Sequence, residues 1–262
     1  MADDLIRFKP PQMAKSTWDY LIKFTSHHEG TVKHMYHNHP KGSRYPDVSC
    51  GIGFLLPADK TDSKTPSAVT IKDWVRHFVN PDGTPVTEEL FKKDWEEAYK
   101  VTRVSHPVNG IIGEFRKACA LNLNPAIIRP KMAELLVQKL NTELRRAPLS
   151  DVDFWNLPAV AQVAIASVNY GFSPTQMPSF AAALKARDFD RAAIEIKLSN
   201  MSIIKNQDHW LLMKDAQYLY EFHQGDPAAM AYLPSSVSNW TLLSQQRGAL
   251  GWGGSSEQIM SQ

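Results

Sequence analysis

Glu29 is the first candidate for chemistry in this chain, because Gly30 follows it directly. Glycine commonly ends a helix in the left-handed conformation, so Glu29 is expected at a helix C-terminus. The negative end of the helix dipole disfavours a carboxylate anion there. A carboxyl group that keeps its proton can act as a general acid. Asp47 and Ser49 lie two residues apart on a predicted strand, so both side chains should point to the same face.

A predicted helix and a glycine-rich strand pair must position these residues. The helix is predicted from large or apolar residues at the spacing of one helix face, namely Trp18, Leu21, Ile22 and Thr25. Ser16 stands where an N-cap would, with Asp19 three residues on, as in a capping box. We therefore expect a helix to about His28 and paired strands that end near Leu56.

The order of these residues resembles the phage-type lysozymes, which are N-acetylmuramidases. The matching segments are Glu29-Gly30, Met35-Tyr36 and Ser49-Cys50-Gly51-Ile52-Gly53-Phe54-Leu55-Leu56. That family hydrolyses the β-1,4 bond of peptidoglycan glycan strands with a Glu acid, a nearby Asp and a Thr that helps hold the attacking water. The resemblance implies that Glu29 is the acid and that Ser49 stands in place of the Thr.

The second carboxylate of the family pattern is missing from its expected position, where this chain has Asn38. An Asn side chain cannot act as a general base. The turn from His37 to Pro46 is also longer than in the family, so Asp47 is our preferred replacement. The resemblance implies Glu29, Asp47 and Ser49 as catalytic residues. Asn38 and Tyr36 are candidate sugar contacts, Asn38 through a water or a sugar hydroxyl and Tyr36 through stacking.

The second half of the chain is predicted to be helical. Pro130 is expected to begin one helix, and the nearly continuous apolar run from Leu157 to Val168 predicts a buried central helix. Its end, SVNYGF, resembles the "N-x-G" end of the core helix in these lysozymes. The following DFDRAA motif and a last helix over about 207–222 also resemble the family. The resemblance implies that Asn169 and Asn206 contact substrate.

These elements predict an α+β fold that is mostly α and lysozyme-like. A small lobe with a β-hairpin should pack against a larger helical lobe, with a glycan groove between them. The predicted segments are 1–56 for the N-terminal helix and hairpin, 57–128 for an insertion, 129–225 for the helical lobe and 226–262 for a tail. Together they should form one catalytic domain.

Composition sets limits on the partners. The 262 residues carry a net charge of +2, with 29 basic and 27 acidic residues, which is too balanced to predict nucleic-acid binding. No apolar run is long enough to predict a membrane span. Cys50 and Cys119 do not make a disulfide framework and are expected to be buried. We expect a monomer that binds peptidoglycan glycan strands.

The N-terminal sequence lacks the charged-then-apolar pattern of a signal peptide. The expectation is a protein made in the cytoplasm that acts in the periplasm or cell wall after release or delivery. Both a phage endolysin and a secreted effector fit this expectation. An effector would need a secretion apparatus and an immunity protein as partners.

Five of the nine histidines fall within 27–39. The spacing of His34, His37 and His39 could supply zinc ligands, but no metalloprotease spacing is met. We therefore predict a polar turn with a pH-sensitive charge, and no metal or other cofactor.

Three alternatives to a muramidase remain open at this stage. A lytic transglycosylase of the same superfamily needs the acid but no water-activating carboxylate, which suits the Asn at position 38. A zinc-dependent peptidoglycan amidase would use the histidines. A non-catalytic glycan-binding module would keep the fold without the second carboxylate.

Overall fold

The computed structural model of the chain describes residues 13–37, 48–101, 108–198 and 203–235. They are mostly helical with two small antiparallel sheets, which confirms the predicted α+β class with a majority of helix. The described helices are α1 (Lys15–Glu29), α2 (Ala68–Trp74), α3 (Glu88–Lys100), α4 (Val108–Ala118), α5 (Pro125–Glu143), α6 (Ala159–Gly171), α7 (Pro178–Lys185), α8 (Phe189–Glu195), α9 (Ile203–His223) and α10 (Pro227–Met230). The strands are β1 (Val32–His37), β2 (Val48–Gly51), β3 (Phe54–Leu56), β4 (Phe78–Val79) and β5 (Asn122–Leu123).

The chain divides into two compact units. The strand unit is Glu29–Met132, and the helical unit combines Met1–His28 with Ala133–Gln262. The divisions fall within α1 and within α5. The strand unit therefore contains both the predicted hairpin and the segment predicted as an insertion.

The core of the strand unit lies between a three-stranded sheet and the helices that follow it in sequence. The sheet has the order β1-β2-β3, and α3 and α4 pack against β1. Aromatic side chains fill the space, because large rings remove much apolar surface from water. The ring centroids of Phe54 and Trp74 are 5.5 Å apart, and those of Phe78 and Phe91 are 5.3 Å apart. Both Phe54 and Phe91 are fully buried.

Asp94 holds α3 to the segment that precedes β5. Its carboxylate accepts hydrogen bonds from the backbone N–H groups of Ala120 at 2.6 Å and Leu121 at 3.2 Å. These bonds favour the ionised form, but burial outweighs them and raises the pKa of Asp94 to about 6. The side chain is buried, so α3 carries a charge-sensitive contact inside the unit.

The predicted buried central helix is confirmed as α6. Each of its residues except Gly171 is buried, as expected for a helix that is apolar nearly all round. Helices α6 and α8 both pack against α9, and α7 packs against α8. Asp188, the first residue of the DFDRAA motif, is the N-cap of α8 and accepts the backbone N–H of Arg191 at 2.9 Å.

Two predicted helix starts are wrong. Pro130 lies inside α5, which begins five residues earlier at Pro125. Asn124 caps this helix by accepting the backbone N–H of Ala126 at 3.0 Å, so Pro125 takes the first position, where its missing N–H costs nothing. Ser16 is likewise inside α1 rather than at its N-cap, because the helix begins at Lys15.

The last long helix is α9, which begins four residues before the predicted start. It is 21 residues long but carries Lys205, Asp208, Lys214 and Asp215. Of the helices in the described segments, none combines the length and apolarity that crossing a bilayer requires.

Candidate functional site

Glu29 is the last residue of α1, as the sequence predicted. Gly30 has φ +66°, the left-handed conformation that ends the helix. A Cβ at Gly30 would meet no atom within 4 Å, so the requirement for glycine is conformational rather than steric. The Glu29 side chain is half-buried. The chain then turns directly into β1.

The hairpin brings Tyr36 and Ser49 together. The two residues are direct partners in the antiparallel ladder between β1 and β2, so their side chains leave the sheet on the same face. Ser49 is 6% exposed and Tyr36 is half-buried. The register shifts between Val32 and Tyr36, so the ladder between β1 and β2 is irregular there.

The pKa of Tyr36 responds to Glu29 and to the glycine turn. Burial is the main cause that raises the pKa of Tyr36 to about 12, followed by the nearby Cys50 thiol and the Glu29 carboxylate. The backbone N–H of Gly53 donates a hydrogen bond to the phenolic oxygen and opposes this rise. Three predicted site residues, Glu29, Tyr36 and Ser49, therefore lie in one neighbourhood of the strand unit.

The two glycines of the G-x-G motif build the turn between β2 and β3. Gly51 has φ +63° and Gly53 has φ +84°, both left-handed. A Cβ at Gly51 would lie 2.6 Å from two ring carbons of Phe54 and 3.0 Å from a methyl carbon of Leu123. At Gly53 a Cβ would meet nothing within 4 Å. The motif thus needs its first glycine for space and both for backbone conformation.

Asn38 and Asp47 lie outside the described residues. Their predicted roles, as a sugar contact and as the second carboxylate, remain predictions from sequence. The same holds for His39 of the proposed zinc spacing.

The histidines of β1 are not in a polar turn, contrary to the sequence-based interpretation. His34 and His37 are both buried strand residues. The Nε2–H of His37 donates to the carbonyl of Val101 at 2.8 Å, and its ring meets Phe115 edge-on at 4.9 Å between centroids. Within the part of the chain that the structure describes, no three His, Cys, Asp or Glu side chains are grouped so that they could bind a metal.

Comparison of the chain with protein-family models, with curated proteins and with solved structures finds no match.

Asn169 lies in the helical unit, near the end of α6. It is 4% exposed, and its Nδ2 has no hydrogen-bond partner among the described residues. Together with Lys139, Glu143 and Ser173 it lines a cavity of about 350 Å³. The Ser173 hydroxyl donates to the Glu143 carboxylate at 2.6 Å, and the Lys139 ammonium donates to the carbonyl of Tyr170. An amide donor beside a cavity can bind an oxygen acceptor, which is compatible with the predicted role of Asn169.

Asn206, also in the helical unit, makes two hydrogen bonds to one backbone residue. Its Oδ1 accepts the N–H of Leu198 at 3.0 Å, and its Nδ2 donates to the Leu198 carbonyl at 2.8 Å. This pairing joins the first turn of α9 to the segment after α8. The structure thus gives Asn206 a structural task that the sequence did not indicate, beside its predicted contact with substrate.

A buried polar cluster in the helical unit was missed by sequence reasoning. His28 Nε2 lies 3.1 Å from the Asp208 carboxylate, and both side chains are almost fully buried. His209 is completely buried, and its Nδ1–H donates to the Lys205 carbonyl at 2.6 Å. Burial is the main cause that lowers the pKa of His209 to about 3, with Lys205 second. No spacing in the sequence links these α1 and α9 residues.

Proposed function

We propose that this protein is a peptidoglycan glycoside hydrolase, a muramidase that cleaves the β-1,4 bond between N-acetylmuramic acid and N-acetylglucosamine. One observation carries the proposal. A helix ends at Glu29, Tyr36 pairs with Ser49 in the hairpin that follows, and the Glu29 carboxylate contributes to the raised pKa of Tyr36. An acid at the end of a helix, followed by a strand that carries a hydroxyl, is the order that the resemblance to phage-type lysozymes implies.

In the proposed reaction Glu29 protonates the glycosidic oxygen as the bond to the anomeric carbon breaks. A water attacks that carbon, and a second group accepts the water proton. Asp47 is the proposed base, and the Ser49 hydroxyl orients the water. A separation of roughly 6.5–9.5 Å between the two carboxyl groups gives inversion of the anomeric centre, whereas roughly 5 Å gives retention through a covalent intermediate.

The lysozyme-like fold is part of the same proposal. It is supported within the strand unit by the order helix end, hairpin and glycine turn. In the helical unit it is supported by the buried α6, which ends in Asn169-Tyr170-Gly171, and by the capped start of α8. The proposed site of action is the bacterial cell wall, reached after release or delivery.

The deciding experiment measures hydrolysis of purified sacculi by the wild-type protein and by Glu29→Gln. The substitution keeps the shape of the side chain and removes the proton to be transferred. We expect kcat to fall by roughly 10²–10⁴-fold, the range for loss of a general acid, while binding to sacculi is retained. Glu114→Gln is the matched control, because Glu114 is an exposed carboxylate of the same unit. Full activity in Glu29→Gln would refute the assignment.

The second catalytic position is tested by comparing Asp47→Asn with Asn38→Ala on the same substrate. Loss of activity in Asp47→Asn alone supports the proposed base. If neither variant loses activity, the result favours a lytic transglycosylase, because that reaction needs no water-activating carboxylate. The Asn at position 38 is compatible with this alternative. Mass spectrometry of the products separates the two, because a transglycosylase leaves anhydro-muramic ends and a hydrolase leaves reducing ends. A wild-type protein that binds sacculi without cleaving them would instead be a glycan-binding module.

A further inference from the structure

A cavity of about 430 Å³ lies within the helical unit, and none of the proposed catalytic residues lines it. Three segments form its walls, namely the start of α1, the segment that leads into α6 and the segment around α10. The volume falls within the roughly 300–1,000 Å³ of small-molecule sites. The cavity is therefore large enough for one pyranose ring with its substituents.

Gln162 gives the cavity a hydrogen-bond acceptor in a fixed orientation. This side chain lines the cavity and is 8% exposed. Its Nε2 group donates to the carbonyl of Trp155 at 3.2 Å and to that of Leu157 at 2.9 Å. Because both neighbours are carbonyl oxygens, the NH₂ end of the amide must face them. No described residue donates to the Oε1 atom, so this atom can accept an O–H or N–H of a ligand.

Thr17 and Trp155 add a hydroxyl group and an aromatic ring to the same lining. Thr17, on α1, is 2% exposed, and Trp155 is half-buried. The rings of Phe154 and Trp155 meet edge-on with 4.9 Å between centroids, which restricts the indole. Apolar side chains complete the wall, among them Leu157, Ala159 and Met230. A matching ligand needs polar groups that hydrogen-bond and an apolar face that can lie on a ring.

The lining of the cavity selects against charge. None of the described residues that line it has an ionisable side chain. A carboxylate or ammonium group bound there would lose hydration without gaining an ion pair, which is costly. N-acetylglucosamine is neutral, whereas N-acetylmuramic acid carries a carboxylate. The lining therefore favours the first of these two sugars.

We propose that this cavity is a second carbohydrate site, which binds one neutral pyranose such as N-acetylglucosamine. The Gln162 oxygen accepts a hydroxyl or amide proton of the sugar, and the Thr17 hydroxyl bonds another of its polar groups. The C–H face of the ring packs on the indole of Trp155. The inference goes beyond the proposed hydrolysis, because binding in this cavity requires neither Glu29 nor the cleavage of a bond.

The test follows binding of methyl N-acetyl-β-glucosaminide to the isotope-labelled full chain by NMR. The indole N–H signal of Trp155 should shift until it saturates, with a Kd on the order of 1 mM, as expected for a ligand of about sixteen non-hydrogen atoms. Trp210 is the internal control, because it is a half-buried tryptophan of the same unit that does not line the cavity. A Trp155 signal that does not shift, or that shifts without saturating, would overturn the proposal.

Thr17→Val and Thr25→Val provide a matched pair of variants. Both threonines lie on α1 and are almost fully buried, but Thr25 does not line the cavity. Each substitution removes a hydroxyl and keeps the shape of the side chain. We expect Thr17→Val to raise the Kd roughly fivefold through loss of one hydrogen bond, and Thr25→Val to leave it unchanged. Equal Kd values for the two variants would show that the sugar is not bound at this cavity.

The selection for a neutral sugar has its own test. N-acetylmuramic acid should bind at least about tenfold more weakly than the neutral glycoside, since its carboxylate is desolvated without a partner. Its methyl ester has nearly the same bulk and no charge, so it should bind more tightly than the free acid. Equal binding of acid and ester would refute this selection. These measurements do not involve cleavage, so a chain that leaves sacculi intact would refute the proposed hydrolase and not this site.

Discussion

The indole N–H of Trp95 donates a hydrogen bond to the carbonyl of Leu56 at 3.0 Å. Leu56 ends β3 and Trp95 lies on α3, so this bond fastens the segment after the hairpin to the end of the hairpin itself. Both side chains are fully buried. The region after Leu56 is therefore part of the scaffold that holds the candidate site.

Replacing Trp95 with Phe should destabilise the protein. The change leaves the Leu56 carbonyl without its donor and a gap beside the smaller ring, so we expect a loss of at least about 2 kcal/mol in the free energy of unfolding. Urea denaturation measures it as a lower midpoint. Trp155→Phe is the control, because Trp155 is only half-buried and should cost less. Equal shifts in the two variants would contradict the prediction.

The two glycines of the G-x-G turn give a matched pair of variants. Gly53→Ala should cost about 1–2 kcal/mol of stability, the price of a left-handed conformation for a residue with a Cβ. Gly51→Ala should cost clearly more, because its Cβ also meets the ring of Phe54 at 2.6 Å. Thermal unfolding of both variants checks the order. Adding Phe54→Leu should recover part of the loss in Gly51→Ala and none in Gly53→Ala.

Loss of the Asp94 proton should make the protein less stable as the pH rises. Its pKa is raised to about 6 in the folded chain, above the ordinary carboxyl value of 3.8. The folded state therefore holds the Asp94 proton more tightly than the unfolded state does. The stability that this proton contributes is present at low pH and is lost as the pH rises through about 6. We expect a change on the order of 2 kcal/mol between pH 4 and 7. Asp94→Asn should remove this slope in urea denaturation, and the exposed Asp73→Asn should not.

His209 should have the opposite effect. Its pKa is lowered to about 3, so the folded chain keeps the ring neutral where the unfolded chain binds a proton. The stability that the neutral His209 contributes is present above about pH 6.5 and is lost as the pH falls towards 3. The free energy of unfolding should fall by up to about 1.4 kcal/mol per pH unit in this range. His209→Asn keeps a donor for the Lys205 carbonyl and should weaken this acid sensitivity. His27→Asn, at an exposed site, should leave it unchanged.

Local signals were sufficient where a single stretch of chain decides the structure. Gly30 predicted the end of α1, and the continuous apolar run predicted the buried α6, because helix ends and burial follow from neighbouring residues. The start of α5 was wrongly predicted at Pro130, because Asn124 caps the helix and Pro125 occupies its first position.

Contacts between distant residues could not be predicted in this way. His34 and Met35 are neighbours on β1 and are both buried, which breaks the alternation expected of a strand. The irregular register between Val32 and Tyr36 accounts for this, and nothing in the local sequence marks it. His28 on α1 and Asp208 on α9 are far apart in the sequence but lie in the same unit, so their contact could not be predicted from neighbouring residues.

The two sulfhydryl groups have a practical consequence. Cys50 and Cys119 are buried and free in the strand unit, and burial raises the pKa of both thiols, so neither presents a reactive thiolate. An alkylating reagent can therefore modify them only in molecules that have opened. The rate of labelling by iodoacetamide therefore reports the opening of the structure around these thiols. The native chain thus carries its own reporter of local unfolding, and no added dye is needed.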